Sequence, residues 1–329
     1  MSAGAQRLTR ASLIVSSGKR VHTQLAKISQ DGAWAISLSR FRFDQILFDR
    51  ARELGVDCRE GVAVNNCVSG RGGANGVEAL SLAEGSKARF LASLVIDASG
   101  RNSRVMLSES ERRAGGRGSR LYAFKAHFDG ARGLDDQVEL HFFAQGYGGL
   151  ARIEGGLVNL CYIVDQNTLR SAGGDPDAVL ERSLMRNEVA RERLSGAVRV
   201  GKWHSAGPLS FGHRRLARGG VIAIGDASGM IDPFTGTGIQ MALRTGEMAA
   251  EAIVAALGSR AATLFDSVLR EYSARYNREF GSRLKASTLL RAIAFSPGAR
   301  PLVAGVLARY PTLATLVMRA TRSTHGVFS

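Results

Sequence analysis

The chain has 329 residues, 45% of them hydrophobic and 22% charged, which is enough length and apolar content for a large core and excludes wholesale disorder. Its net charge of +15 suits an anionic partner such as a dinucleotide or an acidic membrane surface. Nucleic acid is not expected, because the basic residues are scattered apart from Arg112, Arg113, Arg117 and Arg120, and no zinc-finger, RRM or helix-turn-helix signature accompanies them.

Cys58, Cys67 and Cys161 show neither CxxC nor His/Cys spacing. They read as reduced core thiols, so neither a disulfide frame nor a metal site is expected. The first twenty residues hold no apolar stretch of about 7–15 residues, and no run reaches the roughly 18 apolar residues of a membrane span. A cytoplasmic protein is the expectation.

Residues 8–38 alternate polar and apolar, as strands do. Phe43–Leu54 reads as an amphipathic helix, apolar at Phe43, Ile46, Leu47, Ala51 and Leu54 and closed by Gly55. Residues 56–92 suggest short strands around a glycine-rich hairpin. The run LVIDASG (94–100) suits a strand buried on both faces. A second strand-rich block covers 120–165, a helical stretch lies near 176–195, and RVGKWHSAGPLS returns to extended structure. VIAIGD (221–226) is a second buried, parallel-type strand. From Thr237 the pattern is helical to about Leu257, and 262–324 is mostly helical with breaks at Pro297, Pro301 and Pro311. Alternating strands and short apolar strands are thus interleaved, which implies two domains that each recruit distant segments.

The strongest feature is VIAIGDASGMIDPFTGTGIQMALRTGEMAAEAI (221–253). A buried strand ends at Gly225-Asp226; a short loop follows, with Pro233 and then Thr235-Gly236-Thr237-Gly238 at the start of a helix. A carboxylate at a strand's end can accept hydrogen bonds from ligand hydroxyls. Glycines allow close backbone approach, and a helix N-terminus offers free N–H groups and positive potential.

This segment resembles the second FAD fingerprint of the FAD-dependent oxidoreductases of the aromatic-hydroxylase and geranylgeranyl-reductase type. The resemblance implies FAD as cofactor, with Asp226 on the ribityl chain and the backbone of Gly236–Ile239 facing the pyrimidine edge of the flavin ring. IDASGRNSRV (96–105) resembles the family's DG fingerprint, with Ser99 where an acid usually stands and with Gly100, Ser103 and Arg104 fitting. SRFRFDQILFDRARELGV (39–56) resembles its Arg-Asp-Leu helix, in which Arg40 approaches the flavin's phosphate or ribityl region. The cofactor-binding set is therefore Arg40, Gly225, Asp226, Pro233, Gly236, Thr237, Gly238 and Ile239. The stretch 141–164 resembles the reductase branch's substrate strands, where Tyr147 borders flavin or substrate or is merely half-buried. Within it Gly146-x-Gly148-x-x-Ala151 has dinucleotide-binding spacing, but strand residues follow instead of a helix, so it is rejected.

The expected fold class is α/β with α+β elements: an incomplete FAD-binding, Rossmann-like domain (39–60, 90–118 and 215–260), an antiparallel-sheet substrate domain (1–38, 61–89 and 119–214), and a helical C-terminal region (261–329). It is incomplete because no GxGxxG unit with its acid about twenty residues on occurs in the 329 residues. Residues 1–38 instead resemble substrate-domain strands, so a truncated or variant form with weak or no FAD binding is expected.

The resemblance implies NAD(P)H as transient reductant and an apolar or aromatic small-molecule substrate, either hydroxylated or reduced at a C=C bond. The halogenase branch ranks lower, since its Trp-x-Trp-x-Ile-Pro segment is absent. No side chain stands out as acid or base; His127, His141, His204 and His213 read as structural or exposed. The tail 295–329 reads either as core packing or as a surface helix touching membrane. The alternative to an enzyme is a non-catalytic binding or scaffolding remnant of the same fold.

Overall fold

The computed structural model describes residues 3–15, 20–25, 35–70, 73–107, 121–258, 263–296, 306 and 309. The arginine cluster at 112–120 and nearly all of the tail 295–329 lie outside them. In chain order the elements begin with β1 (Gln6–Leu8), β2 (Arg10–Ile14), β3 (Arg20–Gln24), β4 (Ala35–Ser37) and α1 (Arg40–Glu53). Then come β5 (Val62–Gly70), β6 (Gly73–Ser81), β7 (Lys87–Leu91), β8 (Val95–Asp97), β9 (Leu121–Asp129), β10 (Gln137–Phe143), β11 (Gly146–Arg152) and β12 (Val158–Asp165). Three short helices follow, α2 (Gln166–Ser171), α3 (Pro176–Arg182) and α4 (Glu188–Leu194), and then β13 (Val198–Ala206), β14 (Gly212–His213), β15 (Ala217–Arg218), β16 (Val221–Ala223) and β17 (Gly229–Met230). Two long helices complete the order, α5 (Gly238–Leu257) and α6 (Leu264–Ala294).

The chain divides into two compact units, each assembled from separated segments. The first holds Met1–Gly55, Gly118–Leu209 and Leu289–Ser329; the second holds Val56–Arg117 and Ser210–Thr288. The interleaving expected from the sequence is present, but two segments group differently. Helix 40–53 belongs with the large sheet, and strands 62–81 belong with the fingerprint. Alternation marks a strand without saying which sheet it joins.

The first unit is built on a seven-stranded sheet of order β13-β9-β12-β11-β10-β2-β3. Its pairs are antiparallel except β10 with β2. Alternation sends Phe124, Ala126 and Phe128 of β9 and Val158, Leu160, Tyr162 and Val164 of β12 to one face. There they form the main core with Val179, Leu180, Leu184, Ala190 and Leu194 of the 176–194 region. The rejected glycine spacing lies in β11, as its strand pattern required. Gly146 is glycine because a Cβ there would stand 1.9 Å from the Ile163 carbonyl oxygen.

Helix α1 departs from its amphipathic reading. Ser39 caps it through a bond from the Arg42 N–H, but none of its residues is buried, and Ile46, Leu47 and Leu54 are exposed. Same-face pairs support it instead: Arg40–Asp44, Gln45–Asp49 and Arg50–Glu53.

In the second unit β8 and β16 pair in parallel, Val221 opposite Val95 and Ala223 opposite Asp97, and β15 adds an antiparallel edge. All of β16 is fully buried. The β8 run is not: Val95 and Ile96 are half-buried and only Asp97 is buried. Across the second core run Val268, Tyr272, Tyr276, Phe280 and Leu284 of α6, four residues apart on one helical face.

Candidate functional site

Strand β16 carries its chain into the fingerprint. Beyond Ile224 the backbone turns at Gly225, whose N–H donates to Thr245 Oγ1 at 2.8 Å, tying the strand's end to the body of α5. Ser228 closes the turn, its hydroxyl donating to the Gly225 carbonyl at 2.7 Å. Asp226 is half-buried in this turn. Two tyrosines of α6 hold the turn from behind: Tyr272 OH donates to the Ala223 carbonyl at 2.9 Å and Tyr276 OH to the Ser228 carbonyl at 3.2 Å. Burial pushes the Tyr276 hydroxyl up to about 12, and Tyr272 is raised for the same reason. Both therefore stay protonated donors at neutral pH.

The loop then climbs to the mouth of α5. Asp232, nearly fully buried, accepts from the Phe234 N–H, and its own N–H donates to Ser287 Oγ at 3.2 Å. Pro233 is exposed at the start of a single 3-10 turn. Gly236 ends that turn at φ 68°, in the left-handed region that favours glycine, and is exposed. Thr237 stands at the N-cap of α5 but makes no side-chain cap bond. Its hydroxyl is instead 2.9 Å from Thr235 Oγ1, and Thr235 donates to the Asp232 carbonyl. The first N–H groups of a 20-residue helix are left without the usual side-chain acceptor. Nothing lies within 4 Å of where a Gly236 Cβ would stand, and a Gly238 Cβ would meet only Ile231, at 4.0 Å. Ile239 is 42% exposed.

The second unit thus brings seven of the eight expected residues together: Gly225, Asp226, Pro233, Gly236, Thr237, Gly238 and Ile239. Arg40 belongs to the first unit, where its guanidinium makes two 3.0 Å bonds to Asp44 on the exposed side of α1. The DG-like stretch adjoins the fingerprint strand through β8. Asp97 accepts from Ser99 N–H at 2.9 Å, Ser99 Oγ at 2.6 Å and the fully buried Ser103 hydroxyl. Ser99 therefore braces the turn, as does Ser103, which accepts from the Met106 N–H at 2.8 Å. Arg214 links the two loops, donating to the carbonyls of Arg101 at 2.7 Å and Asp226 at 3.3 Å. Sequence reading missed Arg214. A lone arginine in a loop carries no signal, whereas Tyr272 and Tyr276 were findable from their four-residue spacing.

The first unit contains a polar cluster that sequence reading also missed. His141 is fully buried with Nε2 3.1 Å from Glu139 Oε2, and Arg193 donates to the same carboxylate at 3.1 Å. Burial works against the Glu139 carboxylate, but the bonds from His141 and Arg193 outweigh it and hold its pKa below the usual value. Burial pushes the Cys161 thiol up to about 11, which makes it an inert thiol. Tyr147 is buried, packed edge-on against Phe295 at 6.1 Å. Among the described residues no group of three His, Cys, Asp or Glu is placed to hold a metal, and no helix is long and apolar enough to cross a membrane.

Comparison with known proteins agrees with this architecture. The family model for tryptophan halogenase matches residues 5–111. Digeranylgeranylglycerophospholipid reductase 2 of Methanopyrus kandleri is 32% identical over 115 residues, 35% of this chain and 28% of that protein. The chloroplastic geranylgeranyl diphosphate reductase of Oryza sativa subsp. japonica is 32% identical over 114 residues, 33% of this chain and 24% of that protein. The chain thus spans less than a third of the curated relatives it matches.

Among solved structures, the flavin-dependent brominase Bmp2 superposes with a TM-score of 0.77 at 20% identity, covering 97% of this chain and 77% of that one. The myxobacterial chondrochloren halogenase CndH gives 0.75 at 22%, covering 86% and 67%. PqsL of Pseudomonas aeruginosa, a probable FAD-dependent monooxygenase, gives 0.64 at 16%, covering 89% and 80%. Halogenases therefore stand beside monooxygenases and reductases among the similar proteins, against the lower rank that the missing Trp-x-Trp-x-Ile-Pro segment suggested. The chain has the fold of the flavin-dependent halogenases and monooxygenases and, over about a third of its length, sequence similarity to geranylgeranyl reductases.

Proposed function

We propose that this chain belongs to a FAD-dependent oxidoreductase acting on an apolar or aromatic small molecule, with residues 225–239 cradling the reactive half of the flavin. The observation that carries this reading is the mouth of α5. Its leading N–H groups lack a side-chain cap, and the glycines beside them leave room for a flat group. Asp226 would accept from ribityl hydroxyls, and the positive end of α5 would favour negative charge on the ring's pyrimidine edge. Bound there, the flavin would supply the redox chemistry, with NAD(P)H as its reductant. Hydroxylation, halogenation and C=C reduction all fit this arrangement.

Titration of the chain with FAD and with FMN, followed by flavin fluorescence, tests the reading. The 329 residues contain no GxGxxG, so the adenylate half should add little. Both flavins should bind weakly and with similar affinity, and Gly236→Val, which puts a branched side chain in the cradle, should abolish binding. Flavin affinity unchanged by Gly236→Val would sink the assignment. No flavin binding even with a GxGxxG-bearing segment supplied in trans would favour the alternative, a non-catalytic binding subunit of the same fold.

A further inference from the structure

A cleft of about 480 Å³ opens in the first unit, where the end of β12, helix α2 and the break between α3 and α4 meet. That volume suits a small molecule, yet every lining side chain is polar and none is aromatic. Asp165, Thr168, Ser171, Arg182, Ser183 and Arg186 are among them. Two of these hold the walls in place: Asp165 Oδ1 accepts from the Thr168 N–H at 2.7 Å, and Arg182 donates to the Ser171 carbonyl at 2.6 Å. Among the described residues, however, no ion pair joins Asp165 to either arginine, and Arg186 has no acidic partner.

Ser183 supplies an independent observation. Helix α3 breaks at this residue, at φ −118° and ψ −84°, and its N–H donates to the Leu180 carbonyl at 3.3 Å. Serines within helices often bond back to a preceding carbonyl; this one does not. It is only 7% exposed, and among the described residues its hydroxyl makes no hydrogen bond. Buried polar groups are nearly always satisfied, and leaving one unpaired is costly. The hydroxyl belongs to a wall of the cleft, so its partner is sought there.

The lining chemistry selects a ligand class. A carboxylate ligand is fully met by one arginine in a bidentate pair. A phosphate monoester brings a charge of about −2 and three terminal oxygens, enough for both arginines and a hydroxyl. Asp165 accepts only, so the ligand must also donate. With no aromatic wall, a flat ring has nothing to stack on. We propose that the cleft binds a phosphate monoester of a polyol: the phosphate accepts from Arg182, Arg186 and the Ser183 hydroxyl, and a ligand hydroxyl donates to Asp165. The flavin reading concerns residues 225–239 of the second unit, so either can fail without the other.

Calorimetric titration of the full chain with glucose 6-phosphate and glycerol 2-phosphate tests the site, with inorganic phosphate and glucose as controls. Both esters should bind about tenfold tighter than inorganic phosphate, and glucose should not bind. Arg186→Gln alters an exposed side chain and should weaken both esters about tenfold, through loss of a charge-assisted bond. Arg132→Gln, at an exposed arginine between β9 and β10, should leave both affinities unchanged. Asp165→Asn keeps an oxygen for the Thr168 N–H but turns the other into a donor, so it should erase the preference for esters over inorganic phosphate. Ser183→Ala should weaken the esters about threefold without lowering Tm, since the hydroxyl has no partner to lose. A solvent-filled cleft only, with neither ester bound, overturns the proposal. So does equal affinity of wild type for the esters and inorganic phosphate, or equal weakening by Arg132→Gln, which would make binding a property of the basic surface. A lowered Tm for Ser183→Ala overturns it as well, by showing that the hydroxyl is bonded within the chain.

Discussion

Single atoms decide the outcome at several positions. Gly146 and Gly149 lie on the same strand three residues apart, yet they differ sharply in what a methyl group would meet. At Gly146 it would stand 1.9 Å from a backbone oxygen that cannot move without breaking the β11–β12 ladder; at Gly149 its nearest neighbour is Leu140 Cδ2 at 3.5 Å. Gly146→Ala is expected to cost about 3 kcal/mol or more through overpacking, and Gly149→Ala within about 1 kcal/mol, as read from urea denaturation of the two variants. A similar contrast holds behind the fingerprint. Tyr272→Phe keeps the ring in the core but leaves the buried Ala223 carbonyl without its 2.9 Å donor. A loss of about 1–2 kcal/mol is expected. Because that carbonyl sits at the end of the strand leading to Asp226, flavin affinity should fall along with stability.

Among the elements, α1 and α6 show how periodicity and burial separate. On α6 the four-residue stripe from Val268 to Leu284 is 0–3% exposed. Phe280→Ala should therefore cost about 3–5 kcal/mol, as large-to-small core changes do. On α1 the apolar positions look comparable in sequence, yet Leu47 is 40% exposed. Leu47→Gln should shift stability by less than about 0.5 kcal/mol. Equal costs at Phe280 and Leu47 in parallel denaturation curves would contradict this division. The same contrast shows what could be read in advance. The fingerprint was legible because its chemistry is local: strand, turn and helix mouth are contiguous, and residue type alone marks where the backbone must open. The parallel type of the 94–97 and 221–223 runs was legible from their apolar character, but their pairing with one another was not. The grouping of strands 62–81 with the fingerprint was not, since alternation is identical in either sheet. The burial of α1 was not either, because a helix pattern names a face without naming what covers it. Arg214 and the Glu139–His141–Arg193 cluster act through long-range register and loop contacts that leave no mark in the neighbouring sequence.

For the whole molecule, acid acts on a buried carboxylate of the first unit. Its Glu139 is almost wholly buried, bonded by His141 and Arg193, and held below the ordinary carboxyl range by those bonds against the opposing effect of burial. Asp136, bonded by Arg10 and Thr9, is lowered too, though it lies at the surface, where screening leaves it little weight. A carboxyl whose folded pKa is depressed stabilises the fold at all pH values above its unfolded pKa, near 4.5 for Glu139. That contribution fades as pH falls through the folded value. Thermal melts should therefore be flat in this respect from pH 7 to about 5 and drop steeply below it. Glu139→Gln separates the carboxylate from everything else that titrates in acid. At pH 7 it should cost about 3–5 kcal/mol, because Arg193 keeps its charge in a site 14% exposed while losing its buried counterion, and the exposed Glu192 at 4.0 Å compensates little. Below the folded pKa of Glu139 wild type has lost the same charge, so the two proteins should converge. A gap between them that stays constant from pH 7 down to 3 would show that the pair contributes packing alone, and the acid sensitivity would then have to reside elsewhere in the chain.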